Sequence, residues 1–210
     1  MLMAIPGRHV AQATLLTIVA GTADAVGFIT MGGVFAANMT GNTVLAGIQL
    51  AQRNYSGAWH YAGTLLAFFL GALLSCFLLR LLKRPTAGLL LEAVLIAGVG
   101  FLGVGPETAV LIVAGAMGLQ AAAITQFGGV AVSTVVVTST LARTAEAALG
   151  WLWPDRERVP PAAANPRLLA VTWIGYLVGA IAGALLVPVF AYPLLVPAAL
   201  LLFTLVVLRP

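Results

Sequence analysis

One carboxylate lies inside the first long apolar run of this sequence. Asp24 shares a predicted helix face with Ala20, Gly21, Gly27 and Phe28. These small neighbours indicate that Asp24 faces other helices rather than lipid. A carboxylate at membrane depth is costly, so it needs either a proton or a partner. Asp24 therefore has a candidate functional role, either proton coupling or a polar contact with a substrate, and the alternative is a hydrogen-bonded structural carboxylate.

The next residues form the least membrane-like stretch of the chain, GGVFAANMTGNTV at 32–44. Its glycines relax the backbone, and the VFAA run suits an extended segment. Thr40 or Asn42 can cap a short helix over about 41–52. Such a helix rises about 18 Å, which is too short for a hydrocarbon core of about 30 Å. Its N-terminus is expected near the midplane, where free N–H groups can bind a solute.

A similar arrangement occurs in the second half. Residues 132–137 have an extended pattern and lead into Thr138-Ser139-Thr140, so two helix N-termini could converge on one midplane site. Arg143 could hold an anion there, although a pair with Glu146 explains it equally well. The breaks could alternatively serve only to let helices pack. The predicted substrate-binding residues are Asp24, Asn38, Thr40, Gly41, Asn42, Gln120, Thr138, Ser139, Thr140 and Arg143.

The composition predicts a membrane protein. Hydrophobic residues make up 61% of the 210 and charged residues 8%, against about 25% charged residues in soluble domains. The net charge of +4 is spread between apolar spans, which argues against nucleic acid as a partner. Cys76, His9 and His60 have no ligand spacing, so we predict no metal and no cofactor. The absence of a nucleophile–base pair makes an enzyme the least favoured class.

Six spans of about 20 apolar residues are predicted, namely 10–31, 59–82, 87–104, 108–127, 167–187 and 189–208. Segments 32–52 and 128–149 are predicted to be re-entrant, with both termini in the cytoplasm. If both segments crossed fully, the basic residues at 80–84 would lie outside, against the positive-inside rule. A half-strand, half-helix segment that crosses remains the alternative. Glu92, beside the basic loop, is expected to snorkel or to pair there.

The two halves resemble each other. A shift of 96 residues places Asp24 on Gln120, a shift of 98 places residues 40–42 on 138–140, and a shift of 108 places residues 71–72 on 179–180. The predicted fold is an all-α polytopic membrane protein with one integral membrane domain over 1–210. Its two repeats cover about 10–104 and 108–208, and each has three spanning helices plus a broken half-helix segment with a short extended stretch. Three crossings per repeat would invert the second copy.

Residues 21–25 (GTADA) and 34–42 (VFAANMTGN) resemble the YoaK family, bacterial inner-membrane proteins that carry a domain of unknown function. Residues 118–121 (GLQA), the length and the span pattern support this resemblance. The sequence departs from the family pattern at Ala121, where Asn is frequent, and at Ser139, where Gly is frequent. Both departures concern the polar lining of the second half. The resemblance implies location and architecture, and it implies no activity.

The function predicted from the sequence is a membrane transporter or channel for a small solute, with an anion as one candidate. The solute would bind at the midplane between the two half-helix N-termini. The expected partners are the lipid bilayer and a small molecule or ion, and the glycine stripe at 175, 179 and 183 is compatible with a homodimer, although it more often joins helices within one chain. The alternative is a non-transporting membrane scaffold or sensor.

Overall fold

The computed structural model describes residues 6–127, 130–131, 133–134, 137–152 and 166–208. The described residues are almost entirely helical, and their only strands are a two-residue antiparallel pair, β1 (Gln126–Phe127) and β2 (Val130–Ala131). The helices are α1 (Gly7–Thr30), α2 (Met39–Ala51), α3 (Tyr55–Leu82), α4 (Thr86–Leu102), α5 (Pro106–Ala123), α6 (Val137–Leu152), α7 (Pro166–Leu186) and α8 (Leu195–Phe203), and α8 continues as a π-helical turn over Thr204–Leu208.

Four of the described helices are long and apolar enough to cross a membrane. They are Gly7–Thr30, Tyr55–Leu82, Pro106–Ala123 and Leu168–Leu186. The other two predicted spans form shorter apolar helices, 86–102 and 195–207. The last predicted span, 189–208, starts as helix only at Leu195, because the prolines at 188 and 193 disfavour helix in the residues before them.

Asparagine side chains start the two helices that follow the first break. The Asn38 side chain accepts a hydrogen bond of 3.1 Å from the Gly41 N–H and caps α2, and Asn54 does the same for α3 through Gly57. The predicted caps of α2, Thr40 and Asn42, lie inside its first turn instead. That prediction was wrong because the helix begins at Met39, two residues earlier than expected.

Two helix pairs form the most extensive contacts, α1 with α7 and α3 with α5. Within each pair the helices run parallel, since contacts advance together along both chains. Gly63 lies beside Leu111 and Gly71 against Gly115, while Gly179 lies against Ile18. The glycine stripe of α7 therefore packs on α1 within the chain. A side chain at Gly71 or Gly179 would collide with the backbone of the neighbouring helix.

The chain turns back into the protein after α1. Residues 31–38 are not helical, and they return from the end of α1 to the level of Asp24, where the backbone N–H groups of Ala37 and Asn38 donate to its carboxylate. Helix α2 then leads back to the start of α3. There a Cβ on Gly32 would lie 3.3 Å from His60 Nε2, so α3 begins at the same end of the molecule at which α1 ends. The first broken segment thus starts and ends at the same end of the helix bundle.

The second break is described in part. Residues 133 and 134 are not helical, and α6 begins at Val137, so residues 138–140 form its first turn. Of the predicted extended residues 132–137, positions 132, 135 and 136 lie outside the described residues. The fourth predicted span, 108–127, is helical only as far as Ala123, the end of α5. Its last two residues form β1.

Candidate functional site

The Asp24 carboxylate joins three separate elements. Oδ1 accepts hydrogen bonds from the backbone N–H groups of Ala37 (2.5 Å) and Asn38 (3.3 Å), and the Tyr176 hydroxyl donates to Oδ2. The Asp24 side chain is buried, with 3% of its surface exposed. Helix α1, the first break and α7 therefore meet at one carboxylate.

Asp24 accepts from the backbone N–H groups that are predicted from the sequence to bind an anion. Backbone N–H groups beside a helix N-terminus are the donors that an external anion would use. In this structure the protein's own carboxylate accepts from two of them, at Ala37 and Asn38. The first half-site is therefore occupied from within, and an anion could use those donors only if Asp24 released them.

Asn42 holds the shape of the first break. Its side chain is fully buried, its Oδ1 accepts from the Phe35 N–H (3.0 Å), and its Nδ2 donates to the Phe35 carbonyl (2.7 Å). The Phe35 ring stacks on Phe28 with centroids 4.8 Å apart, and it also lies close to Gly41. Asn38 and Asn42 both use their side-chain oxygens inside the break, where they replace the missing helical hydrogen bonds.

Gln120 holds the second break in a related way. Its Nε2 donates to the carbonyl of Leu16 on α1 (3.1 Å) and to Thr134 Oγ1 (3.0 Å). Gln120 and Thr134 are 1% and 2% exposed. The Gln120 Oε1 atom has no hydrogen-bond partner among the residues that the structure describes. The second break is thus anchored to α1 by an amide whose oxygen accepts no hydrogen bond from the described part of the chain.

The two anchored segments touch α1 at different depths. Leu16 and Asp24 are eight residues apart on α1, which is about 12 Å along the helix axis. Helices α2 and α6 make no contact with each other within the described part of the chain. Within the described residues the N-termini of α2 and α6 therefore do not meet, because each break ends at its own anchoring side chain, Asp24 or Gln120.

The other predicted site residues do not gather at Asp24. Thr40, Thr138, Ser139 and Arg143 are exposed on the surfaces of α2 and α6, whereas Thr140 is 3% exposed. Among the first-turn residues whose burial the structure describes, Asn42 in α2 and Thr140 in α6 are the buried ones.

Two important residues were not predicted. Tyr176 comes from α7, 152 residues beyond Asp24, and its only sequence signal is its place next to Gly175 in the glycine stripe.

Glu92 was expected to snorkel or to pair at the membrane surface, and this was wrong. Glu92 is fully buried in α4, and neither carboxylate oxygen has a hydrogen-bond partner among the described residues. It lies nearly two helical turns into α4, too deep for its short side chain to reach the surface.

Comparison with known proteins agrees with these membrane features. The family described as a protein of unknown function (DUF1275) matches residues 12–207. The UPF0700 transmembrane protein YoaK of Bacillus subtilis (strain 168) is 29% identical over 188 residues, which cover 84% of this chain and 83% of that relative. No solved structure matches. The resemblance found in the sequence is thereby confirmed, and the chain belongs to the DUF1275 family of multi-pass helical membrane proteins.

Proposed function

We propose that this protein is a transporter for a small anion, built from two inverted repeats, and that it couples anion movement to a proton at Asp24. The observation that carries the proposal is a carboxylate inside an apolar helix bundle that accepts from two N–H groups of a non-helical segment. Non-helical backbone at membrane depth is tolerated only where it is buried in protein or lines a wet cavity. Such broken segments occur at the substrate sites of transporters.

The pattern of helix contacts supports the inverted repeat. In this repeat α1 corresponds to α5, α2 to α6, α3 to α7 and α4 to α8. The α1–α7 pair then corresponds to α5–α3, the α2–α3 pair to α6–α7, and the α4–α5 pair to α8–α1. All six pairs make contacts. The glycine contacts agree in detail. A Cβ on Gly21 would meet the carbonyl of Tyr176 and the N–H of Ala180. In the same way, a Cβ on Gly118 would meet the carbonyl of Phe68 and the N–H of Ala72.

These contacts also refine the register between the repeats. Gly21 and Gly118 differ by 97 positions, one more than the shift of 96 that aligns Asp24 with Gln120. With this register, Asp24 corresponds to Ala121, and Gln120 corresponds to Ala23. Asp24 has no ionisable counterpart in either alignment, so the proposed coupling role falls on Asp24 alone.

The proposed cycle follows from the hydrogen bonds of Asp24. While its carboxylate is charged, it holds the N–H groups of Ala37 and Asn38 and accepts from Tyr176. A proton on Asp24 removes that charge, and a charged acceptor is roughly twice as strong as a neutral one. The two N–H groups are then available to an anion at the α2 N-terminus. Proton and anion would therefore bind together and move in the same direction.

The proposal assigns the protein to the bacterial inner membrane with both termini cytoplasmic. The positive-inside rule supports this orientation, as does a first break that starts and ends at the same end of the helix bundle. No catalytic step is part of the proposed cycle.

Proteoliposomes loaded with a pH-sensitive dye test this function. Inward gradients of chloride, sulfate and phosphate are imposed in turn, and internal acidification is recorded for wild type and Asp24→Asn at matched incorporation. We expect acidification with at least one of these anions for wild type and none for Asp24→Asn, while Glu107→Gln, an exposed acid on α5, behaves like wild type. Equal acidification by wild type and Asp24→Asn would rule out coupling through Asp24.

A second candidate is a non-transporting scaffold or sensor. The internal hydrogen bonds of the first break favour it, because Asp24, Asn38 and Asn42 already find protein partners. With this function, ion flux into wild-type proteoliposomes would equal that into empty liposomes for every anion.

A further inference from the structure

Glu92 is a buried acid that the proposed cycle does not use. It lies in α4 with none of its surface exposed, and both carboxylate oxygens lack a hydrogen-bond partner within the described residues. Asp24 is similarly buried but accepts three hydrogen bonds. An isolated buried charge is far more costly than a paired one, so Glu92 needs a ligand that neutralises it.

Two further buried oxygens without a hydrogen-bond partner among the described residues, Ser75 Oγ and Gln120 Oε1, belong to helices that pack against α4. Gly88, one turn before Glu92, packs so closely on α3 that a Cβ there would lie 3.1 Å from Ser75 Oγ. The same Cβ would lie 3.4 Å from the Ala123 side chain on α5. Ser75 is fully buried, and its hydroxyl has no partner among the described residues.

The α4–α5 hairpin brings Gln120 to the same depth. Consecutive helices joined by a short turn are antiparallel, and Gly88 faces Ala123. Glu92 lies about one turn beyond Gly88, and Gln120 lies about one turn before Ala123, so both are displaced in the same direction along the hairpin. The unpartnered Oε1 of Gln120 therefore lies at the level of Glu92.

The helices packed against α4 bring no compensating charge to this level. Helix α8 and the turn after it contain no titratable residue. The acid of α5, Glu107, is exposed at the opposite end of that helix, and on α3 both Cys76 and Arg80 are exposed. Arg80 lies five residues beyond Ser75, about 7 Å farther toward the end of α3.

We propose that Glu92 is a proton-binding site, with the proton as its ligand. A neutral carboxyl offers an O–H donor at the level of Gln120 Oε1, whereas the Ser75 hydroxyl, about one turn away beside Gly88, does not hydrogen-bond to Glu92 in this structure. A hard metal cation such as Ca²⁺ or Mg²⁺ takes about six or more oxygen ligands. Glu92 offers two oxygen atoms, and Gln120 and Ser75 offer one each. The small number of oxygens and the single negative charge fit a proton.

The site has a direct connection to the second break. Gln120, whose Oε1 faces this level, donates through Nε2 to Thr134. Loading or unloading the proton at Glu92 would therefore change the bonding of the amide that anchors the second break. This connection rests on the proposed transport function, but the binding of a proton at Glu92 does not.

Labelling with dicyclohexylcarbodiimide in phosphatidylcholine vesicles tests proton occupancy directly. The acid proton moves to a carbodiimide nitrogen while a carboxylate oxygen bonds to the central carbon, and the adduct rearranges to an N-acylurea that retains the whole reagent. At about pH 8, where exposed carboxylates are ionised, peptide mass spectrometry should find the adduct at Glu92 and not at Glu107. Asp24, whose oxygens are occupied, should react at least tenfold more slowly. Labelling of Glu107 or Asp24 with none at Glu92 would overturn the proposal.

Infrared spectroscopy gives a second readout that does not depend on reagent access. The wild-type protein should show the C=O stretch of a neutral carboxylic acid, shifted in D₂O, and Glu92→Gln should lose that band while remaining folded by circular dichroism. Gln120→Leu should shift the band, because the proposed acceptor is removed. If the wild-type band is absent, or if Glu92→Gln retains it unchanged, the proton is not on Glu92. Neither experiment requires solute flux, so failure here is distinguishable from failure of the transport proposal.

Discussion

Replacing Asp24 with leucine should destabilise the protein by releasing the first break from α1. Leucine has the branched shape of aspartate and suits an apolar helix, but it is larger, so the loss of the acceptor for Ala37, Asn38 and Tyr176 is accompanied by some overpacking. The two backbone N–H groups cannot move to another partner without moving the break. Asp24→Asn keeps one oxygen that can still accept from them.

The magnitude follows from the number of donors that lose a partner. A buried donor left unsatisfied costs about 1–3 kcal/mol, so the two backbone groups together cost roughly 2–6 kcal/mol. Removing a buried carboxylate recovers part of this cost, which favours the lower end of the range, about 2–3 kcal/mol. Asp24→Asn should cost about 1 kcal/mol or less. Tyr176→Phe should cost about 1–2 kcal/mol in the wild type and almost nothing in Asp24→Leu.

Equilibrium unfolding in mixed detergent micelles, followed by tryptophan fluorescence, measures these free energies. The wild type, the single variants Asp24→Leu and Tyr176→Phe, and the double variant form a double-mutant cycle, which isolates the interaction between the two side chains. Two results would refute the reasoning. Asp24→Leu could be as stable as Asp24→Asn, or Tyr176→Phe could cost the same in both backgrounds.

Three further predictions follow from the packing and the topology. Gly21→Val and Gly118→Val should each prevent stable folding, measured by size-exclusion monodispersity, because Cβ would overlap backbone of the neighbouring helix, whereas Gly98→Val, with open space around it, should be tolerated. Gln120→Leu should lower the free energy of unfolding by about 1–3 kcal/mol in the same micelle titration, and wild-type stability would contradict its anchoring role. A cysteine introduced at Arg84 should be labelled only after the cells are permeabilised, and labelling of intact cells by an impermeant reagent would contradict the cytoplasmic position of this loop.

The sequence predicts local breaks better than it predicts partners. The glycines at 32 and 33 both adopt positive φ angles, 81° and 73°, and the polar run after them predicts the non-helical turn over 31–38 correctly. These features depend on neighbouring residues. The Asp24–Tyr176 contact joins residues 152 positions apart, and no local pattern indicates which distant helix supplies the donor.

The burial of Glu92 shows a second physical limit. In a soluble helix, the alternation of polar and apolar residues indicates which face is buried. Helix α4 is apolar on nearly every side, so the sequence does not show which face meets lipid and which meets α5 and α8. An acid near a basic loop is then readily assigned to the membrane surface, although its face of the helix points inward.

Helix α1 packs on α7, and α3 packs on α5, so the most extensive contacts join helices from different halves of the chain. This pairing has a consequence for folding during synthesis. Helix α1 leaves the ribosome early, but the helix on which it packs most extensively begins about 160 residues later. During synthesis the apolar groove of glycines and small residues on α1 must remain without its final partner, exposed to lipid or to the insertion machinery. Neither half can complete its packing alone, so the folding of the bundle is committed only when the last third of the chain has entered the membrane.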